Sequence, residues 1–221
     1  MENLEKEKIK QTFENLRKNN FEVYYAENKE AAKQQIFSLI EKGQSVAMGG
    51  SMTLKELGVP EMLRCGDYRY LDRSAPEMTP EKAKQVMREA FFSDVYLTSA
   101  NAITETGNLY CVDGNGNRVA AMIFGPESVI CVAGINKIVP DIDSAIRRVK
   151  EIAAPANTVR LSCDTFCRHS GHCVSLERKM NSEMCDGCGS DSRVCCDYVV
   201  FSRQRIKNRI KVILVNEKLG Y

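Results

Sequence analysis

The sequence predicts an α/β fold built on a three-layer, mixed but mostly parallel sheet. Amphipathic segments with helical periodicity alternate with short apolar runs, a pattern typical of parallel strands covered by helices on both faces. A hydrophobic content of 43% in 221 residues is enough for one domain with a sizeable core. We therefore expect a single domain over residues 1–221, with a cysteine-rich segment, residues 163–196, inserted before the final strand.

The first half of the chain carries the clearest alternation. Asn28 and the Thr79-Pro80 pair supply helix starts, because an amide side chain caps free N–H groups and proline fits the first helical turn. The predicted order is a helix over 3–19, a strand over 21–26, a helix over 29–41, a strand at QSVAMGG (44–50), a helix from Thr53, a strand over 68–72, and a helix from Pro80 to Phe91 or Phe92.

The second half begins with strand-like runs at DVYLTSANAIT, NLYCVDG, NRVAAMIFG and SVICVAGINKIV. The turn DGNGN (113–117) predicts a hairpin, since glycine and asparagine tolerate positive φ, and this hairpin makes the sheet mixed. A helix is predicted over 143–153, ended by Pro155. RIKVILVNE (209–217) is predicted to be the closing strand of the main sheet.

Charge and hydropathy exclude several classes of protein. A net charge of +2 gives no general attraction to nucleic acid, so no nucleic-acid partner is expected. Apolar runs fall short of the roughly 20 residues that cross a bilayer, so no membrane span is expected. The charged N-terminus lacks the apolar core of a signal peptide, which favours a cytoplasmic location. In that reducing compartment, clustered cysteines indicate metal binding or redox chemistry more than disulfides.

A glycine-rich turn follows the strand at QSVAMGG. Glycines let backbone approach a ligand closely, and free amides at a helix start favour negative charge. The stretch 49–53 is thus a candidate anion site, although a tight turn with Ser51 or Thr53 as the helix cap explains the same residues.

Polar residues follow the central strands, where ligands of open α/β sheets bind. Glu105 is the best candidate in the chain for a catalytic acid, base or nucleophile, with a solvated turn residue as the alternative. Arginine and lysine at such positions suit phosphate or carboxylate ligands, and ordinary surface charge is the alternative. These further candidates are Asn101, Asn117, Arg118, Asn136 and Lys137.

Seven of the ten cysteines lie in residues 163–196, at positions 163, 167, 173, 185, 188, 195 and 196. Cys185-Asp-Gly-Cys188 has the spacing that lets two thiolates reach one metal. Zinc could use thiolates with His169 or His172, and an iron–sulfur cluster would use four thiolates. A loop of free thiols or disulfides is the alternative to a metal site.

Three long stretches resemble the LUD-domain family, also called DUF162, of lactate-utilisation proteins. They are VAMGGSMTLKELGV, AAPANTVRL and LTSANAITETGNLYCVDGNGNRVAAMIFGPESVICVAGINKIV. The resemblance implies a fold like that of glucosamine-6-phosphate deaminase, ribose-5-phosphate isomerase and the CoA transferases, in which strand-end loops bind phosphorylated or CoA substrates. It places Gly49, Gly50, Ser51, Met52, Thr53, Glu105, Asn117, Arg118, Asn136 and Lys137 around a ligand pocket.

The resemblance also implies an accessory or redox component of L-lactate oxidation to pyruvate, with an iron–sulfur site and zinc as the alternative cofactor. Its partners would be iron–sulfur or flavin oxidoreductase subunits and a small anionic ligand. The C-terminal part also resembles the family, with Cys-x-x-Ser/Thr-Gly-x-Cys at 167–173 and Asp/Gly-Cys and Arg-x-Cys within 186–195. The histidines fall at variable positions of this pattern, and the implied metal ligands are Cys167, Cys173, Cys185, Cys188 and Cys195. The alternatives are a stand-alone enzyme for a phosphorylated, CoA or small carboxylate ligand, or a zinc-stabilised interaction protein.

Overall fold

The computed structural model describes residues 2–178 and 183–221 as two sheets with their covering helices. The helices are α1 (Glu2–Lys18), α2 (Lys29–Ser38), α3 (Met52–Glu56), α4 (Val59–Cys65), α5 (Pro80–Glu89), α6 (Asn117–Ile123), α7 (Ile142–Arg148), α8 (Ala154–Leu161) and α9 (Phe166–Ser170). The strands are β1 (Glu22–Ala26), β2 (Ser45–Met48), β3 (Arg69–Leu71), β4 (Val95–Thr98), β5 (Ala102–Thr104), β6 (Leu109–Asp113), β7 (Ser128–Gly134), β8 (Ile138–Val139), β9 (Asp197–Phe201) and β10 (Ile210–Val215).

The larger sheet has the strand order β1-β10-β7-β4-β2-β3, and all of its strand pairs are parallel. The last strand of the chain, β10, lies inside this sheet, with Val212 opposite Val23 on one side and Cys131 on the other. The predicted α/β fold with a mostly parallel central sheet is confirmed. The carboxyl ends of β2, β4 and β7 meet at one edge.

Successive residues of the strands face opposite sides of the larger sheet, so each side has its own core. On one side, Ile130 and Val132 pack with α2, α3 and α4, which contribute residues such as Ile36, Leu54 and Leu63. On the other side, Cys131 and Val212 belong to a second core, which includes Leu16 of α1, Met122 of α6 and Leu109 of β6.

The smaller sheet has the strand order β8-β5-β6-β9. Strand β6 faces the larger sheet through Leu109 and Cys111, whereas Tyr110 packs with Val149 and Ala153 on the outer side. The two antiparallel pairs, β5–β6 and β6–β9, together with β8, which is parallel to β5, therefore form a separate sheet between the larger sheet and the outer helices. The predicted layering, with helices packed directly on the sheet, holds on the side of the larger sheet that α2, α3 and α4 cover. On the opposite side, the smaller sheet forms an additional layer.

The predicted hairpin at DGNGN is wrong, because NRVAAMIFG forms helix α6 instead of a strand. Strand β6 is already paired on both edges, with β5 and with β9, so no edge is open for a hairpin partner. Gly116 adopts φ +70 before the helix. The Asp113 carboxylate accepts hydrogen bonds from the N–H groups of Arg118 (2.9 Å) and Val119 (3.2 Å), which stabilises the helix start.

Pro155 does not end a helix as predicted. Helix α7 continues through a π-helical turn, Val149–Ala153, into α8, and Pro155 lies in the first turn of α8. The π turn is the distortion that accommodates a proline without an N–H at this point of a continuous helical stretch.

The cysteine-rich segment packs beside the smaller sheet. The Cys173 N–H donates to the Lys150 carbonyl (2.9 Å), and the Cys196 N–H donates to the Asp113 carbonyl (2.8 Å). The segment thus connects α8 to β9. Strand β9 was not predicted from the sequence, in which the segment was expected to precede the final strand directly. Over residues 2–178 and 183–221, no helix is long and apolar enough to cross a membrane.

Candidate functional site

An open cleft of about 590 Å³ lies at the carboxyl ends of β2, β4 and β7. Its walls include Gly50 and Ser51 after β2, Ser99 and Asn101 after β4, and Lys137 after β7. Loops that follow neighbouring parallel strands converge at this edge, which is why residues far apart in sequence share one cleft.

The Gly-Gly-Ser turn forms one wall. Ser51 is the N-cap of α3, accepting a hydrogen bond from the Leu54 N–H (3.2 Å), so the capping interpretation is confirmed. A Cβ on Gly49 would lie 2.8 Å from the Tyr96 hydroxyl, and one on Gly50 would lie 2.8 Å from Arg73 Nη2. The buried side chains of Tyr96 and Arg118 therefore favour glycine at position 49, whereas the flexible end of Arg73 can move aside at position 50. Gly50, Ser51 and Met52 line the cleft.

Arg118 is buried in the floor of the cleft and its hydrogen bonds are used within the protein. Nε donates to Asp113 (2.9 Å), Nη1 to the Ser99 carbonyl (2.8 Å), and Nη2 to Asn101 Oδ1 (3.0 Å) and the Val112 carbonyl (2.9 Å). Arg118 thus joins the loops after β4 and β6, and its charge is balanced by Asp113. It serves as a scaffold for the cleft more than as a free ligand group.

Lys137 has a different environment. It is 3% exposed, and its Nζ contacts Thr53 Oγ1 (3.0 Å), Ser99 Oγ (3.0 Å) and the Ala100 carbonyl (3.3 Å). All three partners are neutral oxygens, and no described carboxylate pairs with it. Burial, followed by repulsion from Arg148, lowers the pKa of Lys137 to about 7.

Arg148 supports this region from behind. Its Nη1 donates to the Asn101 carbonyl (2.6 Å) and its Nε to the Asn136 carbonyl (3.2 Å). Burial lowers the pKa of Arg148 to about 10, a value that keeps the guanidinium charged at neutral pH. Arg148 therefore adds a positive charge near Lys137 without lining the cleft.

Cationic side chains outnumber acidic ones around the cleft. The lining residues include five cations and two carboxylates, namely Arg73, Arg118, Lys137, Arg160 and Arg193 against Asp113 and Asp191. Asp113 is already paired with Arg118 at 2.9 Å. The excess positive charge suits an anionic ligand.

Asn136, which was predicted to line the cleft, instead holds the C-terminal segment beside it. Its Nδ2 donates to the Gly220 carbonyl (3.1 Å), and its Oδ1 accepts from the Leu219 N–H (3.1 Å). A Cβ on Gly220 would lie 2.7 Å from Thr53 Oγ1. This segment therefore closes the wall next to Lys137, and Tyr221 lines the cleft.

Glu105 lies away from the cleft. Its carboxylate pairs with Lys8 of α1 at 3.2 Å, and its carbonyl accepts from Asn15 Nδ2 (2.7 Å). These contacts place Glu105 where the β5–β6 turn meets α1. The other predicted residues, Asn101, Asn117, Arg118 and Lys137, do meet at the cleft. The catalytic role of Glu105 stays a prediction, and the chemistry of the cleft does not include it.

A second, much smaller cavity of about 20 Å³ lies in the cysteine-rich segment. We call it the thiol cavity, because Cys167, Cys173, Cys188 and Cys195 line it together with Tyr110, Tyr198, Lys150 and Asp186. Four of the five predicted thiol ligands are thus brought together. Cys185 is exposed and does not belong to the lining.

Hydroxyl and guanidinium groups contact three of these sulfur atoms. The pairs are Cys167 Sγ with Thr165 Oγ1 (3.4 Å) and Thr158 Oγ1 (3.6 Å), Cys173 Sγ with Ser175 Oγ (3.3 Å), and Cys195 Sγ with Arg193 Nε (3.3 Å). The buried Tyr110 hydroxyl has no hydrogen-bond partner among the described residues. Thiols are soft donors of the kind that bind zinc and iron–sulfur clusters, so the cavity offers the donor type without by itself forming a metal site.

The thiols are not arranged as a closed metal site. In the described part of the chain, no group of three or more His, Cys, Asp or Glu side chains is positioned to hold a metal ion. All ten cysteines are free thiols. His169 pairs with Asp164 (3.2 Å) and His172 with Glu177 (2.9 Å), both on the surface and outside the cavity lining.

Arg193 connects the cleft and the thiol cavity, and sequence reasoning missed it. It lines the cleft, and it donates to the Cys185 carbonyl (2.8 Å), the Cys188 carbonyl (3.2 Å) and the Cys195 carbonyl (2.8 Å). Arg73 and Arg160 were missed as well. Signals were present for all three arginines. Arg73 follows β3 as Ser51 follows β2, Arg160 lies in AAPANTVRL, and Arg193 lies in an Arg-x-Cys pattern that the family shares.

Comparison with solved structures supports the fold. A DUF162 family protein from Deinococcus radiodurans matches with a TM-score of 0.52 at 13% identity, covering 96% of this chain and 98% of that one. The eIF2B beta structure from Chaetomium thermophilum matches with a TM-score of 0.33 at 18% identity, over 51% of this chain and 42% of that one.

Sequence comparison identifies the family. Among curated proteins, none matches this sequence significantly. The profile of the LUD domain matches residues 9–215, a range that contains the cleft-forming strands, the cysteine-rich segment and β10. The chain belongs to the LUD-domain family.

Proposed function

We propose that this LUD-domain protein is a redox component of L-lactate utilisation, with an anion site in the cleft and an iron–sulfur centre in the thiol cavity. The observation that carries the proposal is the position of Arg193, which lines the cleft while its Nε lies 3.3 Å from Cys195 Sγ. One side chain thus adjoins both sites. The lactate assignment itself rests on the family name.

The charge of the cleft supports a small organic anion as its ligand. Arg73, Arg160 and Arg193 have no carboxylate partner among the described ion pairs, and Lys137 contacts neutral oxygens only. Lactate and pyruvate each carry one carboxylate, and phosphorylated or CoA ligands carry more charge. A ligand at 100 times its Kd would stabilise the protein by about 2.7 kcal/mol.

The donor set of the thiol cavity supports a thiolate-bound centre. Cys167, Cys173, Cys188 and Cys195 would hold it, and such a centre supplies one-electron transfer when bound. The chain's own residues would balance the added negative charge, because hydroxyl groups and Arg193 contact the sulfurs and the Lys150 side chain also faces this cavity. Iron–sulfur or flavin subunits would be the partners that exchange electrons.

Metal analysis of anaerobically purified protein tests the proposal. We expect a brown protein that contains iron and acid-labile sulfide. Cys188→Ser and Cys195→Ser should lose most of the iron, because each removes a thiol that lines the cavity. Cys65→Ser is the matched control, since Cys65 is exposed on α4, outside the cavity lining. Cys185→Ser should also keep its iron.

Three other results would contradict the proposed iron–sulfur centre in the thiol cavity. A colourless protein with one equivalent of zinc would replace this proposal with a zinc-stabilised interaction protein. Iron loss in Cys65→Ser equal to that in Cys188→Ser would show that the metal is bound without regard to the thiol cavity. Iron loss in Cys185→Ser alone would move the centre to the exposed side of the cysteine-rich segment.

A further inference from the structure

Lys137 has the surroundings of a reactive amine. Its side chain comes from the turn after β7 and reaches back to the loops after β2 and β4, where Nζ meets Thr53, Ser99 and Ala100. It is 3% exposed and nevertheless forms part of the cleft lining. A lysine kept only for stability would normally be paired with a carboxylate when buried this deeply.

The charged groups around Lys137 oppose a proton on its amine. The pKa of Lys137 is lowered to about 7, first by burial and then by Arg148, with Arg118 acting in the same direction and the Cys131 and Cys111 thiols acting against it. A substantial fraction of the amine is therefore neutral at neutral pH, and only the neutral amine attacks a carbonyl carbon.

We propose that Lys137 forms an imine with a small 2-oxo acid bound in the cleft. This inference rests on the proposed anion site and is independent of the metal centre. A neutral amine reacts with a keto carbonyl, and the surplus cations of the cleft attract a carboxylate next to that carbonyl. Arg73 and Arg160 are the cations of the lining that a carboxylate can approach, because the guanidinium nitrogens of Arg193 already donate to the carbonyls of the cysteine-rich segment.

The step needs no oxidant or reductant. The Nζ lone pair forms a bond to the carbonyl carbon, and the carbonyl oxygen takes up a proton to give a carbinolamine. Loss of the hydroxyl group as water then leaves the C=N double bond. The hydroxyls of Thr53 and Ser99, each 3.0 Å from Nζ, are placed to pass the protons between nitrogen and oxygen.

Reductive trapping tests the inference. The protein is incubated with pyruvate, glyoxylate or 2-oxobutyrate in the presence of sodium cyanoborohydride and then analysed by intact mass and peptide mapping. We expect one reduced adduct, located on the peptide that contains Lys137, with a yield that rises as the pH passes through about 7. Lys137→Arg keeps a positive charge and should abolish the adduct.

Two controls keep the result interpretable. Lys55→Met removes an exposed lysine of α3 and should leave the trapping unchanged. L-lactate has the carboxylate but a hydroxyl group in place of the keto group, so it should compete with trapping without being trapped. The fold of each variant is checked by its thermal unfolding.

Thermal unfolding also separates the two proposals. A 2-oxo acid that stabilises the protein without giving an adduct overturns the imine and leaves the anion site in place. A lack of both stabilisation and adduct with all three acids overturns both. Labelling spread equally over surface lysines, or unchanged in Lys137→Arg, overturns the imine as well.

Discussion

Arg118 and Lys137 lie in the same cleft and show two ways in which a buried cation is accommodated. Arg118 is paired with Asp113 and donates to three further oxygens. Lys137 has three neutral oxygen partners and two arginines among its charged neighbours. The first arrangement stabilises the cleft, whereas the second costs free energy because the ammonium is poorly compensated.

The cost at Lys137 predicts a pH dependence of stability. The folded pKa of Lys137 is about 7 and the ordinary value is 10.5, so between these pH values the unfolded chain binds a proton that the folded protein does not. Stability attributable to this residue therefore rises with pH across that window, by at most about 1.4 kcal/mol per unit.

Lys137→Met tests this linkage by urea unfolding. The variant should be more stable than the wild type at pH 7, and its advantage should shrink as the pH approaches 10.5. Lys55→Met should show no such trend, because Lys55 is exposed. An advantage of Lys137→Met that stays constant with pH would contradict the lowered pKa.

At the scale of elements, the turn between β5 and β6 is fitted closely against α1. Gly107 adopts φ +84, and a Cβ there would lie 2.6 Å from the Asn15 carbonyl carbon. Asn15 and Asn19 also donate to carbonyls of this turn, at Glu105 (2.7 Å) and Gly107 (2.9 Å). Polar side chains of α1 therefore fix the helix to the smaller sheet.

Gly107→Ala should destabilise the protein more than Gly43→Ala. Both glycines have positive φ, so both substitutions carry a conformational cost of about 1–2 kcal/mol. Only Gly107 faces backbone atoms of α1, whereas a Cβ on Gly43 would have no atom within 4 Å. Urea unfolding of the two variants measures the difference, and equal losses would mean that α1 moves aside freely.

The elements that follow local patterns were predictable. The apolar runs at β1, β2, β7 and β10 and the caps at Asn28 and Thr79 have the signals of parallel strands and helix starts. Helix α6 was not predictable from DGNGN, because its formation depends on β9, a distant strand that occupies the free edge of β6. The π turn before Pro155 likewise has no local signal in the sequence.

The candidate site was predictable to a similar degree. Residues that directly follow strands, such as Ser51, Asn101 and Lys137, do line the cleft. Arg73 follows β3 and obeys the same rule, whereas Arg160 and Arg193 come from α8 and the cysteine-rich segment, and only tertiary packing brings them to the cleft. The sequence also does not show which buried cation is paired with a carboxylate. Arg118 is paired with Asp113, whereas Lys137 contacts only neutral oxygens.

At the scale of the whole molecule, β10 is the strand that joins β1 to the rest of the larger sheet. It pairs with β1 and β7 over its whole length, and its side chains enter both cores of the larger sheet. A chain that lacks β10 loses the connection between β1 and the rest of the sheet. The segment after β10 has a more local task, which is to close the wall beside Lys137.

Two truncations distinguish these roles. A chain of residues 1–208 should give no cooperative thermal unfolding, because both cores lose the side chains of β10 and β1 loses its neighbour in the sheet. A chain of residues 1–219 should unfold cooperatively, since it lacks only the segment beside the cleft. Cooperative unfolding of the shorter chain would show that the sheet closes without β10.

The place of β10 in the sequence also sets the timing of folding during synthesis. β1 is made well before β10, because the strand that fills the gap between β1 and β7 emerges only after the whole cysteine-rich segment. At about 5–20 residues per second, the nascent chain spends roughly ten seconds or more with a gap in the larger sheet. Cys131 lies opposite Val212 of β10, so its thiol stays accessible to oxidation on the ribosome until β10 inserts.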